Sequence, residues 1–232
     1  MFQKTLPILK CLNLLIAPGF SLGGARPKAS IVNTDGSFWI AKFTSLNDQD
    51  DMGGWEIVCY ELALKVGIKM ADSKAQKFSS NYHNFLTKRF DRNLTGERIH
   101  FASTMTLLGY FDSQNYLDGA SYLELAAFIS NKGANEKSNL EELWRRIVFN
   151  ICVSNTDDHL RNHRFILSDK GWLMSPAYDI NPTTYGIGLS LNISENDNAL
   201  NSNLALKFHE YFRLNKKNAL KIIDEVKGAI KN

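Results

Sequence analysis

The spacing of apolar positions along the chain changes near residue 95. Before it, short apolar runs alternate with turns; after it, apolar positions recur every three or four residues over long stretches. Ala29 to Val32 reads as a strand, Asn33-Thr34-Asp35-Gly36 as a turn, and Phe38 to Phe43 as the returning strand of a hairpin. Residues 54–66 read as a helix with Trp55, Val58, Cys59, Leu62 and Val66 on one face and Gly67 at its C-terminal cap. Phe85 to Phe90 adds a further strand. In the second part, Ser121 and Glu124 form a capping box that opens a helix running to Ser130. Ser138 and Glu141 form a second box, opening a helix with Leu140, Leu143, Trp144, Ile147, Val148 and Ile151 on its apolar side. Phe165–Leu167 and Trp172–Met174 read as a tight hairpin around Ser168-Asp169-Lys170-Gly171. Residues 216–230 place Leu220, Ile223, Val226 and Ile230 on one face of a solvated amphipathic helix. The pattern predicts an α/β (α+β) protein with a small mixed lobe over residues 1–95 and a mainly helical lobe over 96–232.

Composition narrows the class. With 44% hydrophobic and 22% charged residues, the 232-residue chain is neither disordered nor a low-complexity repeat. The net charge of +3, from 27 basic and 24 acidic residues, gives no argument for direct nucleic-acid binding but leaves room for a local phosphate pocket. Three cysteines, Cys11, Cys59 and Cys152, form no CxxC pair. An odd, scattered set argues against a disulfide framework or zinc knuckle and for a reducing, cytoplasmic setting. The apolar segment 6–17 is interrupted by Pro7, Lys10 and Asn13, which reads as a surface or core segment rather than a signal peptide. No run of 18 apolar residues exists to span a membrane.

Candidate chemistry concentrates in the loop Asn155-Thr156-Asp157-Asp158-His159-Leu160-Arg161-Asn162-His163, between an apolar helix and an apolar hairpin. Asp157 and Asn162 stand five apart, the D-x-x-x-x-N spacing of a kinase catalytic loop, in which the Asp takes a hydroxyl proton and the Asn holds a metal. Asp179 follows the hairpin, where a second hard oxygen ligand for Mg²⁺ belongs. Lys42 shares a strand face with Phe38 and Ile40, so it needs an anion or a route to water. Glu56 is the natural carboxylate partner and Glu61 the competitor. The turn Ser21-Leu22-Gly23-Gly24-Ala25-Arg26-Pro27-Lys28 allows backbone N–H groups close to phosphates. A rival reading takes His159 and His163, four apart, as zinc ligands of a metal-dependent hydrolase, although the glutamate of H-E-x-x-H is missing. Asp158 puts a second carboxylate beside Asp157, able either to raise the pKa of one of the pair or to join a metal.

Taken in order, these pieces resemble the HipA-like family of bacterial serine/threonine kinases, toxins of toxin–antitoxin systems. Gly24-Ala25-Arg26-Pro27-Lys28 resembles that family's phosphate loop, with Arg26 in place of the usual Gln. Trp39-Ile40-Ala41-Lys42 resembles its nucleotide-lysine strand, Lys88-Arg89-Phe90-Asp91-Arg92 its R-F-D-R segment, Thr156 to Asn162 its catalytic loop, and Pro176-Ala177-Tyr178-Asp179 its metal segment. The resemblance implies a bilobal protein-kinase-like fold and transfer of the ATP γ-phosphoryl group, with Mg²⁺, to a protein Ser or Thr. It implies Asp157 as base, His159 beside the phosphates, and Asn162 and Asp179 as Mg²⁺ ligands. It also implies a nucleotide site of Gly23, Gly24, Ala25, Lys28, Lys42, Glu56, Lys88, Phe90, Asp91 and Tyr178, and an inhibitory autophosphorylated Ser21. The implied partners are a protein substrate such as an aminoacyl-tRNA synthetase and an antitoxin. Because little precedes the glycine turn, a separately encoded N-terminal subdomain protein is a further expected partner. A nucleotide-binding pseudokinase acting as a partner-binding subunit is the second reading of the same motifs.

Overall fold

The computed structural model describes residues 26–78, 80–93 and 95–231. The expectations for Ser21, Gly23, Gly24, Ala25, Cys11 and the segment 6–17 lie outside the described residues. Two compact units form, one from the described residues up to 57 together with 71–98, the other from 58–70 together with 99–231.

In the first unit, β1 (Lys28–Val32) and β2 (Phe38–Lys42) make the expected hairpin. Its turn closes through Asn33 N–H to Ser37 O at 2.8 Å, with Gly36 at a left-handed φ of 83° that favours glycine. Helix α1 (Met52–Lys65) follows, its residues 52–57 belonging to this unit and 58–65 to the other, then β3 (Ser73–Gln76) and β4 (Asn84–Lys88). The four strands form one antiparallel sheet in the order β1-β2-β4-β3. Strand β3 has no apolar alternation to announce it, because as an edge strand it pairs with β4 alone.

Helix α1 corrects the expected face. Trp55 and Val58 are exposed, at 52% and 41%, while Gly53, Glu56, Cys59, Ala63 and Val66 form the buried stripe. The reason is steric. A Cβ on Gly53 would stand 2.1 Å from His83 O, so glycine here lets the start of the helix approach the chain entering β4. Asp51 fastens the approach by accepting the N–H groups of Gly54 (2.9 Å) and His83 (2.8 Å). Glu56, one turn from Gly53, is thereby turned inward.

The second unit holds the larger core. Strand β5 (Phe101–Ser103), helix α2 (Thr104–Leu108), helix α3 (Tyr122–Lys132) and helix α4 (Glu136–Val153) precede the hairpin β6 (Arg164–Ser168) and β7 (Gly171–Met174). Strand β5 joins that hairpin as a third antiparallel strand. Helices α5 (Ser202–Lys207) and α6 (Lys216–Lys231) complete the unit. The Ser121–Glu124 capping box forms as expected, with both reciprocal bonds present. All six apolar residues expected on α4 are buried.

The start of α4 is different from expectation. Ser138 and Glu141 lie inside the helix, which opens at Glu136 after Asn135 in a left-handed conformation (φ 55°) without a side-chain cap. Asn139 supplies the missing tie: its Nδ2 donates to Ala134 O (2.5 Å) and its Oδ1 accepts the Met174 N–H (3.3 Å). On α6 the buried stripe is Ala219, Ile222, Ile223, Val226 and Ala229, and Leu220 is 38% exposed. Alanines at 219 and 229 let this helix lie close to the core, and Leu220, about 100° around the axis from Ala219, points away.

Gly53→Ala should destabilise the protein by about 1–3 kcal/mol, since the added methyl overlaps a backbone oxygen. A urea melt reads this as a lower midpoint at unchanged slope; an unshifted midpoint contradicts the role given to Gly53.

Candidate functional site

In the first unit, alternation along β2 carries Lys42 to the inward face, where it is 7% exposed and ion-paired with Glu56, itself 5% exposed. Glu61, the competitor, is exposed. The Lys42 ammonium also lies 5.5 Å from the centroid of the Phe85 ring on β4. Lys28 is the cross-strand neighbour of Lys42 in the hairpin register, so both project from one face of the sheet. Arg26 is paired with Asp48, whose second oxygen accepts the Ser45 N–H at 2.8 Å.

The segment after β4 is built around Asp91, which is 5% exposed. Arg89 grips its carboxylate with two bonds, at 2.8 and 2.6 Å, and Arg92 donates to Oδ2 and to the Asp91 carbonyl, both at 2.8 Å. Burial works to raise the Asp91 carboxyl, but the Arg89 and Arg92 guanidinium groups hold it below the usual carboxylate range. The carboxylate is thus committed to two arginines within its own segment. Lys88 N–H donates to Asp72 O at 2.7 Å and Arg89 N–H to Phe38 O at 2.8 Å, tying this segment to its own unit.

In the second unit, α4 ends at Ser154 in a left-handed cap (φ 54°), and the loop that follows is not helical. Asp157 is exposed, whereas its neighbour Asp158 is 4% exposed. The Asn162 Nδ2 donates to Asp157 O at 3.0 Å, which leaves the amide oxygen out of that bond. The Asp158 carboxylate is turned into the core of the second unit. Its Oδ2 accepts the Tyr122 hydroxyl at 2.6 Å and contacts His163 Nε2 at 2.8 Å. Burial works to raise its carboxyl, but His163 and the Tyr122 hydroxyl keep it below the ordinary range.

The zinc reading loses its geometry here. A spacing of four aligns two histidines only on a helix, and His163 is buried against Asp158. Among the described residues, no three His, Cys, Asp or Glu side chains gather as a metal cluster. His159 holds its place in the loop through backbone bonds: its N–H donates to Asp157 O (3.0 Å) and its carbonyl accepts the Asn162 N–H (2.9 Å).

The segment ending in Asp179 is held from α4. Arg146, 2% exposed, pairs with Glu142 one turn earlier and donates to Ser175 O, both at 2.8 Å. Tyr178 donates its hydroxyl to Arg161 O at 2.6 Å, joining this segment to the polar loop; burial raises its pKa well above the ordinary value. Asp179 follows in a left-handed conformation (φ 59°), which strains a residue other than glycine and sets the direction of its carboxylate. Further on, the chain returns to the loop: Thr183 N–H donates to Ser154 O (3.0 Å) and Ser190 Oγ to Thr156 O (2.7 Å). A Cβ on Gly186 would stand 2.2 Å from Thr156 Cγ2, so glycine permits that approach.

Sequence reasoning missed Tyr122, Arg146 and the 183–190 prop. Arg146 left a trace, a charge four residues from Glu142 on an otherwise apolar helix face. Tyr122 left none, since an aromatic residue after a capping serine reads as ordinary core.

A family model described as HipA-like C-terminal domain matches residues 20–232. The serine/threonine-protein kinase toxin HipA of Shewanella oneidensis is 23% identical over 188 residues, covering 70% of this chain and 43% of its own. A chain of the solved Shewanella oneidensis MR-1 toxin–antitoxin complex of HipA, HipB and operator DNA aligns with a TM-score of 0.74 at 20% identity, over 97% of this chain and 62% of that one. The Helicobacter pylori proinflammatory kinase CtkA aligns with a TM-score of 0.60 at 14% identity, over 92% of this chain and 89% of that one. These likenesses establish a kinase-like mixed α/β fold, as the resemblance implied. The chain spans about half the length of the curated relatives it matches, 58% and 43% for two of them.

Folding lowers the Asp91 carboxyl from its ordinary 3.8, so its pairing stabilises the protein above the unfolded pKa and is lost as pH falls through the lower folded value. Asp91→Asn should therefore cost about 3–5 kcal/mol at neutral pH. Chemical melts of both proteins should show the difference shrinking below about pH 4; a pH-independent difference would contradict the pairing.

Proposed function

Starting from the fact that the chain belongs to the family of HipA-like C-terminal domains, we propose that it is a Mg²⁺–ATP-dependent serine/threonine protein kinase. The observation that carries this reading is the buried Lys42–Glu56 ion pair. A strand lysine held by a helix carboxylate is the arrangement with which protein kinases steady the nucleotide phosphates. Lys28, opposite Lys42 on the same sheet face, adds positive charge where those phosphates are needed.

In this reading Asp157 accepts the proton of the attacking Ser or Thr hydroxyl, and its exposure suits a base that must meet an incoming protein chain. The Asn162 amide oxygen and the Asp179 carboxylate would hold Mg²⁺; both are hard oxygen donors, which fits that ion. When bound, Mg²⁺ neutralises charge on the transferring phosphoryl group. His159 is assigned to the phosphates and the backbone of Lys88 to Phe90 to the adenine. Tyr178 acts through its bond to Arg161 O, keeping Asp179 in step with the catalytic loop. Asp91 acts through Arg89 and Arg92, keeping the adenine segment rigid. Little covalent chemistry falls to the protein, so rate comes from positioning and charge.

The acceptor in this reading is a protein hydroxyl, an aminoacyl-tRNA synthetase being the first candidate. A toxin role and an antitoxin partner follow by analogy with the HipA–HipB complex. Ser21, beside the glycine turn, is the proposed site of inhibitory autophosphorylation, where about 1.5 to 2 negative charges would repel the ATP phosphates.

Intact-mass measurement after incubation with Mg²⁺–ATP tests the reading. The expected result is a gain of one phosphate, mapped to Ser21 and absent in Asp157→Ala. Phosphate only elsewhere would remove the Ser21 assignment. No transfer to the chain or to a panel of aminoacyl-tRNA synthetases would overturn the kinase reading.

A further inference from the structure

Two adjacent carboxylates in the catalytic loop have opposite surroundings, Asp157 exposed and Asp158 sealed in the core of the second unit. We propose that Asp158 is a positioning residue for phosphoryl transfer: bound to Tyr122 and His163, it clamps the loop that presents Asp157 and Asn162. The proposal rests on the kinase reading of this loop.

The clamp has a rigid base. Tyr122 is fully buried in the first turn of α3, behind the Ser121–Glu124 capping box, and its own N–H donates to Asn192 O at 2.9 Å. Its hydroxyl reaches Asp158 Oδ2 at 2.6 Å. The same oxygen meets His163 Nε2 at 2.8 Å, and the His163 ring stands edge-on to the Tyr122 ring with centroids 5.8 Å apart. His163 is fixed from the other side as well, because its carbonyl accepts both the N–H (2.8 Å) and the hydroxyl (2.9 Å) of Thr104.

Asp158 and His163 thus pin the loop at two points five residues apart. Asn162 immediately precedes the second pin, and its side-chain amide bonds to the carbonyl of Asp157, immediately before the first. The separation of base and metal ligand is set between the pins. With Asp158 turned inward, Asp157 stays exposed. Removing the clamp leaves every proposed catalytic group in place but lets the loop wander. A displacement of an ångström at a reacting group can cost about 100-fold in rate.

Steady-state phosphotransfer by the full chain, with thermal melts of each variant, tests this. Asp158→Asn keeps the shape of the side chain and removes its charge; kcat should fall about 100-fold with KM for ATP within about twofold of wild type. Tyr122→Phe deletes one hydroxyl from a residue that otherwise keeps its packing; kcat should fall about tenfold. Combining Asp158→Asn with His163→Phe should be no worse than the more damaging single change, as expected of groups acting as one unit. An active wild type with unchanged kcat in folded Asp158→Asn and Tyr122→Phe would overturn the positioning role alone. So would multiplying single effects in the double variant, or loss of fold in Asp158→Asn with unchanged kcat in Tyr122→Phe. A wild type without phosphotransfer would overturn the kinase reading, and this role with it.

Discussion

A carboxylate taken out of water must meet a partner, and that constraint organises this protein. Among the described residues, Glu56, Asp91, Glu142 and Asp158 are the buried carboxylates, and each faces a basic side chain: Lys42, Arg89 with Arg92, Arg146, and His163. Burying such a pair contributes little net stability, because desolvation consumes most of the attraction. Breaking one by removing a single partner is costly, at about 3–5 kcal/mol. The pairs therefore act as specifications. Each permits one arrangement of the elements that carry its two members.

Those elements are the ones that bear the candidate chemistry. Lys42–Glu56 joins strand β2 to helix α1, and Gly53 makes the approach possible by giving His83 O room. Asp91 gathers its own neighbours into a stiff segment after β4. Arg146–Glu142 rises from α4 to hold Ser175 O and the Lys69 N–H. Asp158–His163 closes the loop between α4 and β6 on itself. The apolar core sets the helices of the second unit, and the paired charges aim the polar segments that leave it.

Where a residue's role depended on near neighbours in the chain, it was legible. The Ser121 cap, the β1–β2 hairpin and the buried side of α4 all follow from spacing over a few residues. The inward lysine of β2 and its carboxylate were legible too, since alternation exposes a misplaced charge and a helix offers few partners. Where competing faces existed, local pattern failed. On α1, Trp55 and Val58 looked like core, but a contact between Gly53 and a strand entrance thirty residues away set the rotation. On α4, Ser138 looked like a cap, but Asn139 bonding to Ala134 and Met174 started the helix earlier.

The order and identity of the motifs, from the glycine turn through Lys42 to Asp157, Asn162 and Asp179, are properties of the sequence itself, and they determined the kind of chemistry to look for. Tertiary structure alone decided what the ambiguous polar residues do. Asp158 read equally well as a proton-sharing neighbour of Asp157 or as a metal ligand, until the fold put Tyr122 and His163 against it. The reason is physical: a carboxylate's behaviour is set by what surrounds it in space, and one of the two groups that surround this one comes from a helix 36 residues away.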